Sequence, residues 1–182
     1  MADAVKKPFY RKVWFWVLVV IVVGIGAGGS SNSQPTKVGV SSVTQQSATT
    51  TSDQPTVFHV GDQVKLDNHV LVVNAVATCK SSNEFLKPAT GNKYITVDIT
   101  QENQGTEPVS YNLWDFKLRD DKEFSYSTAL AGCKDPSFSS GTLVKGDKTR
   151  GFITFEIPAS NTPSKVIFNP SWWSNGQITI TL

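Results

Sequence analysis

Apolar residues alternate with polar residues over the last two thirds of the chain, and this period of two constrains the fold more than any other feature. Residues 93–100 (KYITVDIT) place Ile95, Val97 and Ile99 on one face and polar side chains on the other. The same alternation recurs in three later segments, 113–119, 152–157 and 177–182. Alternation of this kind is typical of half-buried β-strands.

Turn-forming residues such as Asp, Asn and Gly separate these segments, and no stretch of the domain keeps a 3.6-residue period. About seven to nine short strands with this spacing predict an all-β domain over 57–182, an antiparallel immunoglobulin-like β-sandwich. Residues 70–77 are apolar on both faces, which predicts a central strand. Within 113–119, the pattern predicts that Trp114, Phe116 and Leu118 share the buried face.

An uninterrupted apolar run occupies 13–29, directly after a basic segment, 1–12. Its length and lack of charge predict one transmembrane helix, and the preceding cations predict a cytoplasmic N-terminus and an extracellular C-terminal domain. A cleaved secretory signal is the alternative, because small residues close the run. No cysteine precedes Cys79, so lipid modification of the N-terminus is not expected. Gly24 and Gly28 also fit a helix-pairing face.

Residues 30–56 are rich in Ser, Thr and Gln and contain no aromatic residue. Such a segment buries too little apolar surface to fold, and it is predicted to be a disordered linker. Residues 1–52 carry a net charge of +4 and residues 53–182 a net charge of −2. The basic character of the chain is therefore a membrane-topology signal, and it does not indicate a nucleic-acid partner.

The sequence contains two cysteines, Cys79 and Cys133, which both lie in the predicted extracellular domain. Cysteine pairs in oxidising compartments usually form disulfides, so we expect a bond between them. A redox pair is disfavoured because the two residues lack Cys-x-x-Cys spacing. A zinc site is disfavoured because the further ligands are missing.

Catalytic and metal-binding patterns are weak. The two histidines, His59 and His69, have no third ligand at a matching spacing, and no serine lies in a nucleophile elbow. Four carboxylates, Asp115, Asp120, Asp121 and Glu123, provide oxygen ligands that suit calcium, although interleaved cations favour a solvated hairpin tip. We therefore expect no enzyme activity, no cofactor and no metal.

Adjacent tryptophans in the segment NPSWW, Trp172 and Trp173, are the candidate partner-binding residues. Neighbouring residues of a strand face opposite sides, so both rings cannot enter one core. An exposed ring would indicate a protein-binding or glycan-binding surface. The alternative is a loop tryptophan that folds back over the end of the sandwich.

Several motifs resemble one bacterial extracellular family, the domain of unknown function DUF4352. They are the opening KKPFYRKVWFW, the polar linker, Val60-Gly61-Asp62, KYITVDITQENQG with its Asn103-x-Gly105 turn, and the late segment GDKTRGFITFEIP. The resemblance implies a telokin-like, immunoglobulin-like fold, shared with a mycobacterial extracellular protein, and a Gram-positive origin. The family has no established catalytic residues that could be transferred to this chain.

Together these features predict a membrane-anchored cell-surface module that binds an unidentified protein or glycan. The alternative is a structural or accessory envelope protein that acts through a membrane-protein partner of its helix. An enzyme is the third class, and strongly perturbed buried carboxylates would favour it.

Overall fold

The computed structural model describes residues 34–38, 57–81, 83–170 and 176–182. All of them belong to one compact unit, Ser33–Leu182. They form twelve strands: β1 (Thr36–Lys37), β2 (Phe58–His59), β3 (Val64–Leu66), β4 (His69–Cys79), β5 (Asn92–Asn103), β6 (Val109–Tyr111), β7 (Phe116–Asp120), β8 (Ser125–Ala129), β9 (Gly141–Leu143), β10 (Lys148–Pro158), β11 (Pro163–Phe168) and β12 (Ile178–Thr181). A 3₁₀ turn, Leu113–Asp115, precedes β7.

The domain is built on two packed sheets, and β6 and β9 form a separate two-stranded antiparallel sheet. The first has the strand order β1-β3-β4-β5-β10, and the second has the order β7-β11-β12-β2. Strand β8 joins them, because Ser125–Ser127 pair with β7 and Thr128–Ala129 pair with β10. The pairings within these sheets are antiparallel except β2 with β12. The predicted all-β sandwich is therefore confirmed.

The core lies between the sheets and is built from the inward residues of each alternating strand. Ile95, Val97 and Ile99 of β5 are buried, as the alternation predicts. Phe116 stands at the centre of an aromatic group, with its ring 4.8 Å from that of Phe168 and 5.6 Å from that of Phe138. Each large side chain buried in this way contributes roughly 1.5–3 kcal/mol of hydrophobic stabilisation.

The Val60-Gly61-Asp62 segment carries the chain from one sheet to the other, since β2 belongs to the second sheet and β3 to the first. Gly61 has a φ of +89°, which L-residues rarely adopt, and its N–H donates to the Val73 carbonyl at 2.8 Å. The Asp62 carboxylate accepts from the His59 N–H at 3.0 Å. These bonds explain why the glycine and the aspartate occur together.

A short strand lies within the segment that composition predicts to be a linker. Thr36–Lys37 form β1 and pair with the edge strand β3, and the Val38 N–H donates to the Gln63 carbonyl at 2.8 Å. The Lys37 ammonium lies 2.6 Å from the Asp62 carboxylate. This strand depends on partners far along the chain, which the local composition does not reveal. The remainder of the predicted linker, 30–33 and 39–56, lies outside the described residues.

The expected disulfide is present and joins Cys79, at the end of β4, to Cys133, in the loop after β8, with the Cα atoms 6.0 Å apart. That loop returns to the core, where the Phe138 N–H donates to the Phe152 carbonyl at 3.0 Å. Gly151 lies beneath it. A Cβ atom at Gly151 would stand 2.6 Å from the Phe138 nitrogen, so the close approach requires glycine.

The outward face of β5 differs from the prediction, because Tyr94, Thr96 and Asp98 are buried rather than solvated. The Arg150 guanidinium covers Asp98 and donates to both of its oxygens, at 3.0 and 2.7 Å. Asn74 adds a third hydrogen bond at 3.1 Å. Bonding to Arg150 lowers the pKa of Asp98 against the opposing effect of burial. Long polar side chains thus cover this central strand.

Within the described part of the chain, no helix has the length and apolar composition that crossing a membrane requires. The predicted basic tail, 1–12, and the predicted transmembrane helix, 13–29, lie outside the described residues.

Candidate functional site

Trp114 lies on the surface of the domain with 54% of its area exposed. Its predicted place on the buried face of a strand is wrong, because β7 begins only at Phe116 and Trp114 belongs to the preceding 3₁₀ turn. Asn112 caps this turn, since its side-chain oxygen accepts from the Trp114 N–H at 3.0 Å. The turn rotates Trp114 away from the core, while Phe116 and Leu118 enter it as predicted.

A groove runs from Trp114 across the outer face of the second sheet, with a volume of about 420 Å³. Its floor includes Ile167, the outward residue of β11 that pairs with Lys117 of β7. We call this feature the Trp114 groove. Its lining residues are Trp114, Asp115, Lys117, Arg119, Ser125, Ile167, Asn169 and Gln177.

Asp115 is the most perturbed group of the groove. Desolvation by the surrounding protein raises the pKa of its carboxyl group to about 6, from an ordinary value of 3.8. Among the described residues, no side chain or N–H donates a hydrogen bond to this carboxylate, and no cation pairs with it. Only the backbone of Asp115 is bonded there: its carbonyl accepts from the Asn169 N–H at 2.9 Å, and its N–H donates to the Asn112 carbonyl at 3.1 Å. A carboxylate that is desolvated without compensation is typical of binding and catalytic sites.

The cations in and near the groove differ in whether they form ion pairs. Arg119 donates to Glu123 at 3.1 Å, and Lys165 reaches the other oxygen of Glu123 at 2.9 Å. Lys117 takes part in no ion pair among the described residues and is exposed. The groove therefore combines an exposed indole ring, a carboxylate that no described residue compensates and an ammonium group that takes part in none of the described ion pairs. This set of groups suits the binding of a polar ligand whose apolar face stacks on the ring.

The predicted partner-binding residues, Trp172 and Trp173, lie outside the described residues, so their exposure stays a prediction. The chain on either side of them is described, and both flanks, Asn169 and Gln177, line the Trp114 groove. Trp114 was missed as a candidate binding residue because the alternating pattern assigned it to the core. The available signal was Asn112, an N-cap residue immediately before Leu113.

The cluster of carboxylates divides into residues with different roles. Asp120 is fully buried and accepts four hydrogen bonds: from the Lys122 and Phe124 N–H groups, both at 2.9 Å, from the Tyr126 hydroxyl at 2.7 Å and from the Asn161 amide at 2.6 Å. Burial acts to raise the pKa of Asp120, but these hydrogen bonds outweigh it and lower the pKa to about 2. Asp120 thus holds the β7–β8 hairpin together and is not at a solvated tip.

The predicted calcium alternative finds no support here, because the described residues contain no group of three or more His, Cys, Asp or Glu side chains that could hold a metal ion. The two histidines are also separate. His59 is exposed in β2, whereas the His69 ring is buried 2.6 Å from the Gln101 amide nitrogen and contacts Phe168 edge-on.

The domain resembles several solved structures. The YjhA protein of Bacillus subtilis matches with a TM-score of 0.54 and 22% identity, over 69% of this chain and 99% of that structure. A putative lipoprotein of the same species, YcdA, matches with a TM-score of 0.54 and 13% identity, over 64% of this chain and 36% of that structure. The secreted protein MPT63 of Mycobacterium tuberculosis gives a TM-score of 0.48 at 16% identity, over 69% and 98%. The first two similarities show a shared fold.

Sequence comparison also finds a similarity to YjhA. The chain is 31% identical to the "uncharacterized lipoprotein YjhA" of Bacillus subtilis over 78 residues, which are 42% of this chain and 37% of that protein. The match therefore spans well under half the length of this curated relative. The family model described as "Domain of unknown function (DUF4352)" matches residues 58–178, from β2 to the first residue of β12. The chain accordingly belongs to the DUF4352 family.

Proposed function

We propose that this chain is an extracellular binding module that holds a polar, chain-like ligand of the cell envelope, a glycan or an extended peptide, in the Trp114 groove. One observation carries the proposal: an exposed indole ring stands beside Asp115, a carboxylate that folding desolvates and to which no described residue donates a hydrogen bond. A ligand that donates hydrogen bonds to Asp115 would supply the missing compensation.

Membrane attachment through the apolar run 13–29 is part of the proposal. The relative YjhA is named a lipoprotein, but both cysteines of the present sequence are joined in the Cys79–Cys133 disulfide and neither has a free thiol for a lipid. A single-pass helix with an extracellular domain would replace the lipid. Protease treatment of intact cells tests this part, because it should remove the domain; a domain that survives in sealed cells but is cleaved after lysis would refute the topology.

Binding is tested with the full-length chain in detergent on an array of envelope glycans, including peptidoglycan fragments, and of extended peptides. We expect Trp114→Ala to weaken the best ligand about tenfold, which corresponds to about 1.4 kcal/mol, because a central aromatic contact is lost. Asp115→Asn should weaken it as well, since an amide oxygen accepts hydrogen bonds less strongly than a carboxylate.

Phe124→Ala is the matched control, because Phe124 is 62% exposed but does not line the groove. If the array yields a ligand whose affinity falls no more in Trp114→Ala than in Phe124→Ala, the groove is not the binding site. If nothing on the array binds, the accessory role through a membrane-protein partner takes its place.

A further inference from the structure

A second concave surface lies where β4 ends and β5 begins, next to the disulfide. It is a cleft of about 730 Å³ whose polar lining includes Lys80, Ser81, Lys87, Asn92 and Lys93. We call it the lysine cleft. It shares no lining residue with the Trp114 groove, so the two surfaces can be tested separately.

The three lysines of the cleft have no partner of opposite charge among the described residues. The ion pairs of the described residues use Lys37, Arg119, Lys148, Arg150 and Lys165, and none of them uses a lysine of the cleft. No carboxylate lines the cleft. The nearby Glu156 is occupied elsewhere, since one of its oxygens accepts from the Ala89 N–H and from the Asn92 amide, both at 2.8 Å. The cleft is therefore a locally cationic site on a domain of net charge −2.

An apolar tip lies in the segment 83–86, which directly precedes Lys87 of the cleft lining. Phe85 is 96% exposed, and Leu86 next to it is 38% exposed. The tip is held by Asn83, whose side-chain oxygen accepts from the Phe85 N–H at 2.9 Å and whose carbonyl accepts from the Leu86 N–H at 3.1 Å. A phenylalanine that is almost fully exposed on a hydrogen-bonded turn is presented to solvent, and such rings are frequent anchors of protein interfaces.

We infer that the lysine cleft is a docking site for an acidic segment of another protein, one that carries an apolar side chain beside its carboxylates. The unpaired ammonium groups supply charge complementarity, and Phe85 with Leu86 supplies the apolar contact. The ammonium groups line a concave cleft, which a narrow peptide chain can enter and a flat bilayer surface cannot. The apolar tip favours a peptide over a purely ionic polymer, which would leave Phe85 in water.

The test uses the full-length chain in detergent on an array of twelve-residue peptides that combine Glu or Asp with one Phe, Leu or Trp at each position. Polyglutamate and phosphatidylglycerol vesicles are the comparison probes. We expect members of the array to bind more tightly than polyglutamate, with an affinity that falls as salt is raised. The triple variant Lys80→Gln/Lys87→Gln/Lys93→Gln should bind them at least tenfold more weakly, and Phe85→Ala several-fold more weakly.

A matched triple variant, Lys65→Gln/Lys145→Gln/Lys148→Gln, removes the same charge outside the cleft and should keep the affinity within about twofold, because distant exposed charges are screened. Equal losses in the two triple variants would overturn the proposal, as would an array that contains no binder. Vesicle binding that requires Phe85 and the cleft lysines, without peptide binding, would overturn it in favour of a membrane contact. None of these outcomes bears on the Trp114 groove, which lacks these residues.

Discussion

Asp115→Asn tests the physical basis of the candidate site independently of any ligand. The carboxyl group has a pKa of about 6 in the folded domain because the surrounding protein desolvates it, against 3.8 in an unperturbed state. The folded state therefore binds more protons than the unfolded state between these two values. Linkage then requires the free energy of unfolding to fall as the pH rises through this window. Above about pH 7 the full cost of ionised Asp115 is present.

The size of this cost follows from the two pKa values. Each tenfold change in acidity corresponds to about 1.4 kcal/mol, so complete transmission of the difference would give roughly 3 kcal/mol. Asp115 is only half-buried, and water screens part of the effect. We therefore expect the asparagine variant to gain about 1–2 kcal/mol relative to the wild type between pH 4 and pH 7. The gain reflects removal of a charge that the fold does not stabilise.

Urea denaturation at a series of pH values measures the unfolding free energy of the variant and of the wild type, and the gain is the difference between the two. Glu107→Gln is the control, since Glu107 is an exposed carboxylate in the loop after β5 and its removal reports the effect of net charge alone. A difference for Asp115→Asn that stays constant from pH 4 to pH 7, or that matches the control, would refute the desolvation of Asp115.

Three further predictions concern stability. Gly151→Ala should lower the unfolding free energy by about 1–3 kcal/mol, because the new methyl group overlaps the Phe138 backbone. Gly132→Ala, with open space around it, should change the unfolding free energy little. Similar values for the two variants in urea denaturation would contradict the packing argument. Replacing both Cys79 and Cys133 by Ala should lower the unfolding free energy by up to roughly 4 kcal/mol, because the bond links residues separated by 54 positions in the sequence. A denaturation midpoint unchanged by the double variant would show that the bond does not stabilise the fold. Burial lowers the pKa of His69, so the unfolded chain takes up a proton at a higher pH than the folded domain. The wild type should therefore lose stability relative to His69→Gln as the pH falls below 6.5. A difference in unfolding free energy that does not change with pH would show that the ring is solvated in the folded state.

The β-sandwich was predictable because the alternation within each strand indicates which residues face the core. Residues two apart on a strand share a face, so the inward positions Ile95, Val97 and Ile99 could be assigned without knowledge of any other strand. The disulfide was predictable for a simpler reason, since two cysteines offer a single pairing within the chain. The sheet order could not be derived in this way. In particular, β8 divides its pairing between β7 and β10, and nothing in Ser125–Ala129 specifies this change.

Features that depend on distant partners were missed. β1 lies in a segment whose composition indicates disorder, yet it pairs with β3 and is joined to Asp62 through Lys37. The outward residues of β5 were expected to be solvated, but Arg150 from a neighbouring strand covers Asp98. Trp114 shows the opposite error: it was predicted to be buried but is exposed, because capping by Asn112 places it in the 3₁₀ turn before β7. For β1 and β5 a contact with a distant part of the chain decided the outcome, whereas for Trp114 a local capping signal was overlooked.

Two carboxylates that bracket β7, Asp115 immediately before it and Asp120 at its end, show how a structural group can be distinguished from a candidate site residue. Asp120 is fully buried, yet four hydrogen bonds lower its pKa to about 2, so its charge stabilises the fold. Asp115, five residues earlier, is less buried, yet its pKa rises to about 6 because no described residue donates a hydrogen bond to its carboxylate. Burial alone therefore does not identify a site. A charge that folding desolvates and that no described residue compensates gains more from a bound ligand than a charge already held by hydrogen bonds, so Asp115 is a better candidate for ligand contact than the more deeply buried Asp120.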